Sequence, residues 1–220
     1  MQIARFTAEL TDVQVGDERV ALWRVADLER HVDRGALLAA EDPPEPPYWA
    51  HLWSGALVLA ATVPRDAGRV LELGCGLGLP GLVAARRGAR VTFLDRVPAA
   101  LAFVRASAAA NGVADATLIA ADATTPVLAR RFDLVLAAEI LYDRRAFEPL
   151  AYALARLVAP GGQALMADAG RTDTRAFYPA LAAAGLAWRA REVTVREEGL
   201  PVVVRVVEIA HALPRGGAED

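Results

Sequence analysis

Lysine is missing from this chain of 220 residues; all 24 basic positions are arginine. That absence excludes every mechanism needing a lysine amine, including Schiff-base chemistry and the tyrosine–lysine pair of short-chain dehydrogenases. It also means that the protein cannot modify a lysine side chain of its own. Cysteine occurs once, as Cys75, so no internal disulfide can form, and no histidine lies near it in sequence to make it a nucleophile. No charged segment followed by an apolar run opens the chain, and a cytoplasmic location is the expectation. Long apolar runs are absent too. The longest stretch without Asp, Glu or Arg runs from Pro46 to Pro64, but prolines, His51 and two tryptophans interrupt it. Its apolar part, Ala56 to Val63, is too short to span a bilayer. Nor is there an excess of positive charge: the formal charge is −3 and the pI about 5.7, which favours neither a nucleic-acid nor an anionic-membrane partner.

What is present is organised around Arg69 to Gly88. Arg69 to Leu73 is an apolar run of strand length, Gly74, Gly76 and Gly78 alternate after it, and Pro80 stands where a helix would begin. Strand, tight turn and helix in that order form a site where backbone can approach a nucleotide-like ligand. Two ligand classes fit. Gly76, Gly78 and Gly81 satisfy the dinucleotide spacing G-x-G-x-x-G, a weak signal in a chain with 17 glycines. The alternative is E-x-G-x-G-x-G, with Glu72 two residues before Gly74. A carboxylate there suits a cationic ligand and repels a pyrophosphate.

The surrounding pattern predicts an α/β fold in one domain over 1–220, with 1–64 as an N-terminal extension and covering helix and 69–210 as the core. Thr11–Val15 and Val20–Val25 read as a hairpin, Ala26–Arg34 as a short helix and Asp42–Pro47 as a stiff linker. Trp49, Trp53, Ala56, Leu57 and Ala60 recur at helical spacing. Strands are expected at 69–73, 90–94, 116–120, 132–138 and 163–167. They alternate with helices at 80–87, 98–110, near 125–130, at 145–158, ended by Pro160-Gly161-Gly162, and at 173–184, ended by Gly185, which implies a parallel sheet. Trp188–Val195 and Val202–Ile209 have no room for a crossover helix and should pair antiparallel. Pro214–Asp220 is expected to fray.

Ligands of an open parallel sheet lie beyond the carboxyl ends of its strands. There stand Glu72, then Asp95, twenty-one residues after Gly74 and able to accept both hydroxyls of a ribose, and then Asp122-Ala123, where an acid can accept from an adenine amino group. Asp122 could equally cap a following helix. The fourth strand ends in Ala138-Glu139-Ile140-Leu141-Tyr142. Arg144 and Arg145 beyond it read as solvated charges that would repel a cationic acceptor.

Over 69–210 these features resemble the class I S-adenosylmethionine-dependent methyltransferases, and more narrowly the seven-β-strand protein-lysine methyltransferases. Three stretches carry the narrower likeness: PYWAHLWSGALVLA, LELGCGLGLPGLVAA and the acid-x-x-aromatic run from Glu139 to Tyr142. The resemblance implies a Rossmann-like, seven-stranded, mostly parallel sheet with helices on both faces and a C-terminal antiparallel hairpin. It implies S-adenosylmethionine as cofactor and S-adenosylhomocysteine as product, with Glu72 facing the ammonium of the methionine half. Cofactor contacts are expected from Trp53, from Gly74, Cys75, Gly76, Gly78 and Leu79 of the loop, and from Asp95 with Arg96. Asp122, Ala123 and Ala138 complete that set. Glu139 and Tyr142 would serve the acceptor: a protein lysine, or alternatively a small molecule methylated on nitrogen or oxygen. No metal is required. An NAD-dependent oxidoreductase is the remaining alternative.

Overall fold

Strand β4 (Arg69–Leu73) lies inside a seven-stranded sheet because neither of its faces can meet water: Val70 to Leu73 are all buried. A computed structural model describes residues 1–31, 46–125, 128–197 and 199–212. The strands flanking β4 are β5 (Arg90–Asp95), β6 (Thr117–Ala120), β7 (Phe132–Ala138), β8 (Val158–Asp168), β9 (Leu186–Glu197) and β10 (Leu200–His211). They are ordered β6-β5-β4-β7-β8-β10-β9. The first five run parallel; β10 enters antiparallel between β8 and β9.

Side-chain alternation divides each central strand between two apolar layers. Val70, Phe93, Leu134 and Leu136 face the layer formed with α1 (Ser54–Thr62), α2 (Leu79–Arg86) and α3 (Pro98–Ala110). Leu71, Leu94, Val135 and Ala137 face α4 (Phe147–Leu157) and α5 (Phe177–Ala183). Each such fully buried Leu, Val or Phe is worth about 1.5–3 kcal/mol over leaving it in water.

The N-terminal hairpin is β2 (Phe6–Val15) and β3 (Glu18–Val25), turning on Gly16 at φ +56°, with the short β1 (Gln2–Ile3) beside β2. Its free edge is capped by α3: Asn111 Oδ1 accepts from the Ala21 N–H (3.1 Å) and Ser107 Oγ from the Trp23 N–H (2.9 Å). Backbone donors that would otherwise template another strand are thereby satisfied.

Several expected boundaries shift. The tryptophan-bearing segment is not one helix: Tyr48–Ala50 is a single 3-10 turn and α1 starts only at Ser54. Trp49 therefore packs separately, on Phe6 and Phe103, with ring centroids 5.4 Å away in both cases. The helix after Val25 is a 3-10 turn over Leu28–His31; its expected continuation to Arg34, and most of the Asp42–Pro47 linker, lie outside the described residues. So does Pro214–Asp220. Near 125–130, residues 126 and 127 are not described, and the others are not helical. Helix 145–158 begins as a 3-10 turn over Arg144–Ala146, and helix 173–184 shortens to α5, because Asp173 folds back to accept from the Arg175 N–H. Pro160-Gly161-Gly162 does not end an element before β8 but bulges within it: pairing passes from Phe132–Val158 to Leu134–Gln163.

Candidate active site

A cleft of about 1510 Å³ opens beyond the carboxyl ends of β4 to β8. Every cofactor and acceptor position that the resemblance implies lines it, from Trp53 through the glycine loop to Tyr142. Typical small-ligand pockets are about 300–1,000 Å³, so this one has room for two reactants side by side.

One end is built by the loop after β4. Gly74, Gly76 and Gly78 have φ of +59°, +50° and +75°, conformations in which a side chain is strained. They also solve a packing problem: a Cβ at Gly76 would lie 2.9 Å from the Trp49 carbonyl oxygen, and one at Gly78 2.9 Å from Val104 Cγ2. Gly81 is close-packed too, its N–H donating to Glu72 Oε2 at 2.9 Å. Glu72 is thus bound to α2 from beneath the loop while still lining the cleft. Burial pushes its carboxyl up to about 8; the Gly81 N–H opposes this, and nearby Asp95 adds to it. Burial likewise raises the Cys75 thiol far above its ordinary value, so it stays protonated and is no nucleophile.

Asp95 ends β5 with its Oδ2 accepting from the Gly76 N–H (2.8 Å) and its Oδ1 from the Val97 N–H (2.8 Å). It clamps the loop, and a carboxylate oxygen can accept more than one hydrogen bond. Asp122 Oδ1 accepts from both the N–H and the hydroxyl of Thr124, which holds its carboxyl below the usual range. Asp122 thus closes a local turn on Thr124, and no helix follows it directly among the described residues.

The other end is assembled from β7, β8 and α1. Glu139 stands just past β7 at φ +53°, a left-handed conformation uncommon for a residue with a side chain. Its N–H donates to the Ala167 carbonyl (2.8 Å); its Oε1 accepts from the Gly55 N–H (3.0 Å) and its Oε2 from the Ala169 N–H (3.3 Å). Burial raises its carboxyl, and Asp168 contributes in the same direction. Tyr142 is 60% exposed at the mouth. Across from it the Arg171 guanidinium lies 4.8 Å from the Trp53 ring centroid and pairs with Glu197, which also accepts from Ser54. His51 abuts Trp53 with ring centroids 4.3 Å apart and is in extended chain.

Residues 70–162 match the family described as Methyltransferase domain. Over that stretch the chain is similar to a methyltransferase domain, and its fold is that of solved methyltransferases. Ubiquinone biosynthesis O-methyltransferase of Pseudomonas aeruginosa is 33% identical over 116 residues, 52% of this chain and 50% of that protein. EEF1A lysine methyltransferase 3 of Mus musculus is 32% identical over 133 residues, 56% of this chain and 57% of that one. The chain thus spans about half the length of these relatives. The crystal structure of precorrin-6y C5,15-methyltransferase from Geobacter metallireducens superposes on the fold with a TM-score of 0.59 at 17% identity, covering 71% of this chain and 87% of that one.

The cleft also draws on residues that sequence reasoning missed. Arg5, Phe6 and His31 bring the N-terminal sheet to the cleft, and Ile140 closes over Gly74, where a Cβ would meet its Cγ2 at 2.9 Å. Asp168 had a usable signal, since it follows the fifth expected strand as Asp95 follows the second. Arg5 and Arg171 had none. No group of three or more His, Cys, Asp or Glu able to hold a metal occurs among the described residues. Among the same residues no helix is long and apolar enough to cross a membrane.

Proposed function

We propose that this protein transfers a methyl group from S-adenosylmethionine to the side-chain amine of a lysine on another protein. The observation that carries the reading is that the Glu139 carboxyl group and Tyr142, which is 60% exposed, both line a cleft large enough for two reactants. A carboxylate and an aromatic face together attract an alkylammonium, by charge and by cation–π contact. The match to a protein-lysine methyltransferase supports this acceptor, while the match to ubiquinone biosynthesis O-methyltransferase supports a second reading with a small-molecule oxygen acceptor. The shared apolar layer of the N-terminal sheet and the core supports treating 1–220 as one domain.

The residues present fit the cofactor. Left-handed glycines let the loop backbone approach it, and Glu72 suits its cationic methionine half. Asp95 suits its ribose hydroxyls, and Asp122-Ala123 its base. Trp53, Leu79, Arg96 and Ala138 line the same space. When bound, S-adenosylmethionine supplies an electrophilic methyl group on a sulfonium centre. The chain contributes position and charge: the loop is pre-formed by the Asp95 and Glu72 clamps, and Glu139 and Tyr142 draw in and orient the amine. Incubation with methyl-labelled cofactor and a protein extract tests the reading. Label on protein lysines is expected; label confined to small molecules would favour the second reading.

A further inference from the structure

The acceptor amine arrives as an ammonium, so some group must take a proton before the nitrogen can form a bond. Glu139 is poorly placed for that exchange. Both its oxygens accept from backbone N–H groups on different elements, Gly55 and Ala169, and a Cβ at Gly55 would overlap it. Swinging toward an incoming amine would break contacts that hold the end of β7 to α1 and β8.

Asp168, one residue past the last β7–β8 pair, is differently held. Its Oδ1 accepts from the Gly170 N–H at 2.7 Å; among the described residues no donor hydrogen-bonds to its Oδ2. It lines both the main cleft and a side cavity of about 360 Å³ that reaches Thr172, Tyr178, Glu192 and Arg205. One carboxylate therefore forms part of the wall of both the main cleft and a second space that polar groups line in part.

Resting on the lysine reading above, we propose that Asp168 is the carboxylate that receives the acceptor's proton, while Glu139 positions the wall. One N–H bond of the ammonium breaks, its electron pair stays on nitrogen, and the proton joins Oδ2; the neutral acid then returns it to water through the side cavity. Burial raises the Asp168 carboxyl, which narrows its gap to a lysine ammonium near 10.4. The charged groups around it are Glu139, which disfavours its ionisation, and Arg171 and Arg205, which favour it. Both arginines are shared, Arg171 with Glu197 and Arg205 with Glu192 and Tyr178.

Two measurements test this. In protein labelled with ¹³C at the aspartate carboxyls, the resonance lost in Asp168→Asn should move on adding n-butylammonium, and its titration midpoint should fall. In turnover on a lysine-bearing protein, Asp168→Asn should lower kcat at least about tenfold and erase the acid limb of the pH profile. Its calorimetric affinity for S-adenosylhomocysteine should stay within about twofold, and Asp168→Glu should recover part of the rate. Asn retains an acceptor for Gly170, so the loop should survive. If Asp168→Asn turns over within about twofold of wild type, the proposal is overturned while the lysine reading stands. If wild type labels only small molecules, the lysine reading falls and the proposal with it; if wild type labels protein lysines while n-butylammonium leaves the Asp168 resonance unmoved, the proposal alone is overturned.

Discussion

At the cofactor end of the cleft, Glu72 and Asp95 are 2% and 6% exposed, and their oxygens accept from N–H groups of one short stretch, Gly76 to Val97. At the acceptor end, Glu139 and Asp168 are only half-buried, Tyr142 stands in solvent, and the bonds that hold Glu139 reach 84 and 30 residues along the chain. The first end is a rigid cradle whose carboxylates shape the backbone before any ligand arrives. The second is a wet rim stitched from distant elements. A fixed ligand rewards preorganisation, whereas a protruding side chain of another protein needs an entrance.

The largest expected effect breaks the cradle. Gly81→Val would drive side-chain carbons into Phe93 and Glu72 and should cost about 3 kcal/mol or more, read as a lower thermal midpoint together with lost cofactor binding. A variant as stable as wild type would show that the packing beneath the loop is looser than described. Asp95→Ala leaves two loop N–H groups unpaired and removes the ribose acceptor. At about 1.5–3 kcal/mol per charge-assisted bond, cofactor affinity should fall about tenfold or more by calorimetry.

Changes at the rim should spare the cradle. Glu139→Gln cannot accept from both Gly55 and Ala169, so turnover on a lysine acceptor should drop while cofactor affinity holds; undiminished turnover would remove the chief residue-level support for an amine acceptor.

The pH dependence of stability separates the two ends again. With its carboxyl raised from 4.5 to about 8, Glu72 binds a proton more tightly in the fold than in the unfolded chain. Its contribution is therefore complete below about pH 4.5 and is lost as pH climbs toward about 8. Thermal midpoints of the cofactor-free protein should fall across that window relative to Glu72→Gln, which keeps an acceptor for Gly81. Parallel curves would mean that Glu72 is not buried as described. The smallest effect is expected from Arg145→Ala: it removes an exposed positive charge from the mouth and should raise kcat/KM for a cationic acceptor by about twofold at most, less at high salt.

How much of each end was legible follows from how far apart in sequence its parts lie. Glu72, the three glycines, Pro80 and Asp95 fall within one strand–loop–helix–strand unit, so spacing alone placed them. The helical spacing of Trp49 and Trp53 misled because apolar periodicity does not reveal where a chain straightens: His51 to Trp53 are extended and Trp49 is drawn away by Phe6 and Phe103. Pro160-Gly161-Gly162 misled for a related reason, since a bulge absorbs breaker residues without ending a strand.

The sequence by itself determined the alternation of strands and helices, the antiparallel closing pair, the acidic glycine loop and the absence of lysine chemistry, because each depends on residues close in the chain or on composition. Only the tertiary structure decided that Glu72 and Asp95 clamp the loop as well as face the cleft, that Phe6 and Arg5 reach it from the N-terminal sheet, and that Glu139 is held from two sides while Asp168 accepts from the Gly170 N–H. Those facts depend on which N–H groups come within about 3 Å of a carboxylate, and that distance is set by the packing of α1, β7 and β8 against one another.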